Sequence, residues 1–274
     1  MTVLKTLAVA AALTLSAAAT PALAAAGFVA LEGSDSTALH RDPQYTPQLF
    51  KYLQGSSTLN VLVFNPSGLQ DLTGITGGVG ITNVTSLTGV TLANFSAIYI
   101  ESPFGCCTAD NTVLNGFGVA VTAFIAAGGN LSIENYVGGA YDGVVPGGAA
   151  PLGTIQGAGA SNGGIGGGPG CTDNEVITAL GIAKGFTQPP VDGCWAHQGY
   201  SNSYFGSFGY VDLIHADPAY TFADGTNNGS SFLAFGGTLG SVGGVPEPEA
   251  WALMVAGFSL VGVAMRRRTK LTLA

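Results

Sequence analysis

Four short runs of apolar residues constrain this chain more than anything else in it. They are Phe28-Val29-Ala30-Leu31, Asn60-Val61-Leu62-Val63-Phe64, Ala97-Ile98-Tyr99-Ile100 and Leu131-Ser132-Ile133-Glu134. Near-continuous apolar character in the first three, without the alternation of a half-exposed strand, predicts strands covered on both faces, and the alternating Leu131–Glu134 is read as a strand beside them. Each run closes on a polar turn: Glu32-Gly33-Ser34-Asp35, Asn65-Pro66-Ser67-Gly68, Glu101-Ser102-Pro103 and Glu134-Asn135-Tyr136. Helical segments fall between them. Thr46 and Pro47 supply an N-cap and a proline at the first helical position, Leu49, Phe50 and Leu53 one apolar face, and Gly55 a stop. A second helix is predicted from about Asn111 to Ala127, with Leu114, Phe117, Val121, Phe124 and Ile125 on one face and Gly128-Gly129 at its end. This order predicts an α/β protein on a mostly parallel, doubly wound sheet.

Other segments are less regular. The Gly/Thr-rich stretch up to Leu92 is expected to form a hairpin. From Asn135 to Gly170 fourteen of thirty-six residues are glycine, predicting a long surface loop. Its Gly163-Gly164-Ile165-Gly166 follows no strand and opens no helix, so it is no phosphate cradle. The capping box Thr172-Asp173-Asn174-Glu175 predicts a helix ending near Gly185. Late strands are expected at Tyr210–His215 and Ser231–Phe235. The segment from the Ala97 strand through Ala126-Ala127-Gly128-Gly129-Asn130 to Leu131–Tyr136 resembles the glutamine-amidotransferase-like, flavodoxin-like folds, which implies a flavodoxin-like sheet. That family carries a nucleophilic cysteine in a tight turn after a strand. Here the turn reads Glu134-Asn135-Tyr136, so the chemistry is not implied.

Ligands of open parallel sheets bind at the carboxyl ends of the strands. That edge would collect Glu32, Asp35 and His40 after the first strand and Asn65 after the second. Glu101, Cys106 and Cys107 follow the third, and Glu134 and Tyr136 the fourth. Carboxylates and a histidine on one rim suit acid–base hydrolysis or a divalent cation; loop carboxylates that are solvated or cap helices are the plainer reading. A thiol hydrolase would pair Cys106 or Cys107 with His197 or His215 and Glu101, but needs a free thiolate. No H-E-x-x-H or G-x-S-x-G motif occurs. Trp195–Tyr210, rich in aromatic and small polar residues, suits sugar stacking or an ordinary surface loop. Asp224–Gly229 lacks the alternation of a calcium loop and is expected as a turn.

The two ends speak about destination. Lys5, an apolar run from Leu7 to Ala19 and small residues at Ala22-Leu23-Ala24-Ala25-Ala26 make residues 1–26 a predicted signal peptide, cut by signal peptidase. Ala250–Met265 is uncharged and is followed by Arg266-Arg267-Arg268 and Lys270. As a helix it would extend about 24 Å, just short of a hydrocarbon core of about 30 Å, so a single transmembrane helix over 250–265 is expected. The arginines belong on the cytoplasmic side and Trp251 at the interface. Before it stands Pro246-Glu247-Pro248-Glu249-Ala250-Trp251-Ala252. Pro246, Glu247, Pro248, Trp251 and Ala252, with the helix and the arginines behind them, resemble the PEP-CTERM sorting signal of the PEP-x-x-W-A kind. The resemblance implies an exosortase as partner, membrane anchoring before processing, and a final place at the cell surface or outside a Gram-negative bacterium, with exopolysaccharide or biofilm nearby.

Between the ends, residues 27–245 form one expected exported domain. It holds fourteen acidic residues against three basic ones, Arg41, Lys51 and Lys184, a formal charge of −11. Nucleic acid is thereby excluded as a partner. No cofactor is implied, although a divalent cation such as calcium or a neutral glycan suits that charge. Cys106, Cys107, Cys171 and Cys194 all lie in the exported part, where disulfides persist. Long-range bridges from Cys106 and Cys107 to Cys171 and Cys194 are one expectation, and a vicinal bridge with Cys171–Cys194 the other. The expected function is a non-catalytic surface or matrix protein in contact with exopolysaccharide; the alternative is a hydrolase at the carboxyl edge of the sheet.

Overall fold

The computed structural model describes residues 26–33, 42–65, 72, 74–101, 116–136, 143–148, 154–156, 175–187, 198–215, 225–226 and 228–235. The predicted signal peptide up to residue 25, the sorting motif, the apolar tail segment and all four cysteines lie outside the described residues. Among the described residues no helix is long and apolar enough to cross a membrane.

The apolar runs become strands β1 (Val29–Glu32), β2 (Val61–Phe64), β4 (Ala97–Ile100) and β5 (Asn130–Glu134). β1, β2 and β4 are buried at every position. A further strand, β3 (Ile81–Val84), pairs parallel with β2. The stretch expected as a hairpin therefore crosses back and returns as an edge strand. The parallel order is β3-β2-β4-β5-β1. α1 (Tyr45–Gln54) seals one face, where Leu49, Phe50 and Leu53 join Ala30, Val61, Val63 and Tyr99. α2 (Gly118–Ala126) seals the other, where Val121, Phe124 and Ile125 meet Leu31, Leu62, Ile98 and Ile133. Each such apolar side chain withdrawn from water contributes about 1.5–3 kcal/mol. The part of the predicted second helix before Gly116 lies outside the described residues.

The α1 cap differs from expectation. Thr46 is already inside the helix, and the Asp42 carboxylate accepts from the backbone N–H of Gln44 (2.8 Å) and Tyr45 (2.6 Å). Pro47 then stands in the first turn, where its missing N–H costs nothing.

The second half of the chain extends the sheet with antiparallel strands. β6 (Thr154–Gln156) and β7 (Val176–Ile177) come first, then β8 (Gln198–Ser201), β9 (Tyr210–His215) and β10 (Gly229–Phe235). β10 lies against β1 through its carboxyl half and against β8 through Gly229 and Ser230, with β9 also paired to it. β8 thus continues the line of β1. The joint is the Gln198 N–H bonded to the Gly33 carbonyl (2.8 Å) and the Gly33 N–H to the Ser231 carbonyl (2.7 Å). Only glycine fits at residue 33, since a Cβ there would collide with the Gln198 carbonyl oxygen.

Three further expectations change. The Gly-rich segment is not all surface loop, because Thr154–Gln156 pairs with β8 and Val144 and Val145 are buried. The capping-box helix is replaced by β7, which pairs with Ile214 and His215, and by α3 (Ala179–Ala183). The true cap is Thr178, whose hydroxyl accepts from the Gly181 N–H (3.0 Å). Trp195–Tyr210 is not a plain surface loop where described. It forms β8 and α4 (Asn202–Gly206), and Tyr200, Phe205 and Tyr210 are buried in edge-to-face contact.

Candidate functional site

The register of the parallel strands builds a row across their carboxyl ends. Glu32 pairs with Glu134 across β1 and β5. Ile100 pairs with Ile133 and Phe64 with Ile100, so Glu101 follows alongside Glu134, and Asn65 alongside Glu101. The row reads Asn65, Glu101, Glu134, Glu32. All four are buried, Asn65 at 3% exposure and each glutamate at 1% or less. By strand alternation the glutamates share the face that α1 covers.

Glu32 is held from that side. Its carboxylate accepts from the Tyr45 hydroxyl (3.1 Å) on α1 and the Tyr99 hydroxyl (3.2 Å) on β4. Its backbone carbonyl accepts from the Tyr200 hydroxyl (3.3 Å) and the Asn135 N–H (2.6 Å). Burial pushes the Tyr200 hydroxyl well above the usual phenol range; a bond from the Tyr136 backbone opposes this, and the charges of Glu32, Tyr210 and Glu134 add to it. Tyr200 therefore stays a neutral donor. The Tyr136 hydroxyl donates to the Gly148 carbonyl (2.7 Å), tying β5 to the Gly-rich segment.

Asn135, just after β5, has φ 54°. Asparagine enters this left-handed region more readily than most residues. Asparagine offers no nucleophile at this turn. Its side chain is fully buried, and both its polar atoms lack a hydrogen-bond partner among the described residues.

Of the predicted rim, the structure gathers Glu32, Glu101, Glu134 and Asn65. Tyr136 turns instead into the α2-side core. Asp35, His40, Cys106, Cys107 and His197 lie outside the described residues. Among the described residues no group of three His, Cys, Asp or Glu side chains has metal-holding geometry. Chemically the row is a layer of buried carboxyls and one amide inside the protein, with tyrosine hydroxyls bonded to Glu32.

Sequence reasoning missed a second polar cluster. His215 Nδ1 lies 2.7 Å from Asp212 Oδ2, which also accepts from Asn202 Nδ2 (2.8 Å), and Asn202 donates to Asn228 Oδ1 (3.2 Å). Residues three apart on a flat strand face opposite ways. Here the β9–β10 register shifts between Ser230 and Leu233, and the irregularity brings both side chains to one side. The bond to Asp212 raises the His215 imidazole above its ordinary value, burial lowers it in part, and the Asp212 charge adds to the rise. No signal in the sequence marks such a bulge.

No known protein family, curated protein or solved structure matches the chain.

Proposed function

We propose that this is an exported bacterial surface protein, delivered through its PEP-CTERM-type tail, whose domain is a flavodoxin-like scaffold without catalytic machinery and stands in contact with exopolysaccharide. The observation that carries the reading is the fixed order of Pro246-Glu247-Pro248, Trp251-Ala252, an uncharged sixteen-residue segment and Arg266-Arg267-Arg268. Burial of the glutamate row and the tyrosine bonds on Glu32 support a structural role for those carboxyls. The tail is tested by cell fractionation in a host with and without an exosortase. Surface delivery that needs both the host enzyme and Pro246-Glu247-Pro248 supports the reading; delivery indifferent to both refutes it.

One observation favours the alternative, a hydrolase at the carboxyl edge: three glutamates stand in register on neighbouring strands and one face. Its test is hydrolysis of peptide, ester and glycoside reporter substrates by the full chain. Turnover abolished in Glu101→Gln and Glu134→Gln variants that still fold would replace the structural reading with a catalytic one.

A further inference from the structure

A groove of about 500 Å³ lies at the carboxyl ends of β2 and β3, lined by Asn65, Asn83, Val84, Thr85, Ser86, Thr88 and Val90. Its volume falls in the range of about 300–1,000 Å³ usual for small-molecule sites. We propose that this groove binds a neutral saccharide unit.

The lining chemistry selects the ligand class. The exposed amide of Asn83 and the hydroxyls of Thr85, Ser86 and Thr88 offer donors and acceptors together, which suits a ligand whose own groups are hydroxyls, each donor and acceptor at once. Among the described residues none of the lining side chains is charged. Among those residues an anion would find no cationic partner, and a metal ion no carboxylate. Val84 and Val90 add the apolar contact that the C–H faces of a sugar ring require. A purely apolar ligand would strip water from the Asn83 amide and the hydroxyls without replacing its hydrogen bonds, which is costly.

The wall is built before any ligand arrives. The Asn65 N–H bonds the Val84 carbonyl (2.9 Å) and ties the two strand ends together. The Ser86 hydroxyl accepts from the Thr88 N–H (3.1 Å), and the Val90 N–H bonds the Leu87 carbonyl (3.1 Å). Leu87 is buried and anchors this turn in the core, with Val84 and Val90 packed beside it. Asn83, Thr85, Ser86 and Thr88 remain exposed, so a ligand can reach their side chains. Such preorganisation removes the cost of ordering a loop on binding. Asn65 also begins the carboxyl row, so the groove adjoins that row while containing none of its glutamates.

The inference rests on the proposed function for one thing only, that the domain meets glycan outside the cell. Its test uses the full chain in detergent micelles on an array of neutral gluco-, galacto- and manno-oligosaccharides and of uronate-containing oligosaccharides, followed by calorimetry with the best neutral binder. Retention of neutral sugars is expected, with Asn83→Ala and Thr85→Ala each weakening binding by about 2- to 12-fold. Ser86→Trp, which fills the groove from an exposed position, should abolish binding in a chain that still folds. No neutral binder, binding confined to uronates, or undiminished binding by a folded Ser86→Trp chain would each overturn the proposal. Surface delivery of Ser86→Trp is followed separately, because a failure of sorting bears on the tail and a failure of binding on the groove.

Discussion

Glu32 and Glu134 stand directly opposite one another in the register of β1 and β5, and both are shut away from solvent. Neighbouring strands lie about 4.8 Å apart, so the two carboxyls share one apolar layer, and at least Glu32 depends on the tyrosines that face it. Glu32→Ala removes the acceptor of two buried hydroxyls and opens a void, and is expected to cost about 3 kcal/mol in urea denaturation. Tyr99→Phe should cost about 1 kcal/mol. The double variant should cost less than the sum, because the pair acts as one unit. Strict additivity would contradict this role for Glu32.

The joint between β1 and β8 gives a second prediction. A methyl group at residue 33 runs into the Gln198 carbonyl oxygen, so Gly33→Ala must push the two strands apart. A loss of about 1–3 kcal/mol is expected, with the Gln198 amide exchanging faster with solvent. Unchanged stability would mean that β8 does not continue β1.

His215 supplies a pH dependence whose sign is set by its bond to Asp212. The folded-state value is raised above 6.5, so the stabilisation from this pair is fully present below the unfolded value and is lost as pH rises through the folded one. The stability difference between the parent chain and His215→Gln should therefore shrink as pH rises through that interval, and an NMR titration of His215 should give a midpoint above that of a free imidazole. A gap that widens with pH would contradict the pairing.

The cysteines are tested chemically. On the proposed export, the protein unfolded without reductant is expected to show no thiol that reacts with Ellman's reagent. Two or more reactive thiols would defeat the disulfide expectation and reopen Cys106 and Cys107 as nucleophiles.

The parallel half of the sheet was legible because its strands are covered on both faces, and such strands must be apolar throughout, as Val61–Phe64 and Ala97–Ile100 are. The carboxyl row was legible for the related reason that an acidic residue closes β1 and β5 and begins the turn after β4. Of the antiparallel half, the strands at Tyr210–His215 and Gly229–Phe235 were legible as well, and the short ones were not. Thr154–Gln156 and Val176–Ile177 are too short to carry a period and become strands only through Tyr200 and Ile214 across from them. Tyr200, Phe205 and Tyr210 looked like a recognition surface because aromatic side chains among glycines and serines fit a surface and a core equally well. Asp212 and His215 meet through a bulge, a property of two strands together and of neither alone.

On the proposed reading, a self-sufficient domain is delivered by a tail on which its fold does not depend. β10 ends at Phe235, and the sorting motif begins at Pro246. On that reading Pro246 and Pro248 would hold their segment out of a helix, as a protease substrate requires, and Arg266-Arg267-Arg268 would set the orientation of the apolar segment that precedes them. The direct measurement is fractionation and thermal melting of a chain deleted from Pro246 to Ala274, beside one with all three arginines made neutral. The deletion is expected to release a folded, soluble domain to the periplasm or medium, and the arginine variant to be folded but poorly retained. A truncated chain that misfolds or fails to leave the cytoplasm would show instead that the tail belongs to the core.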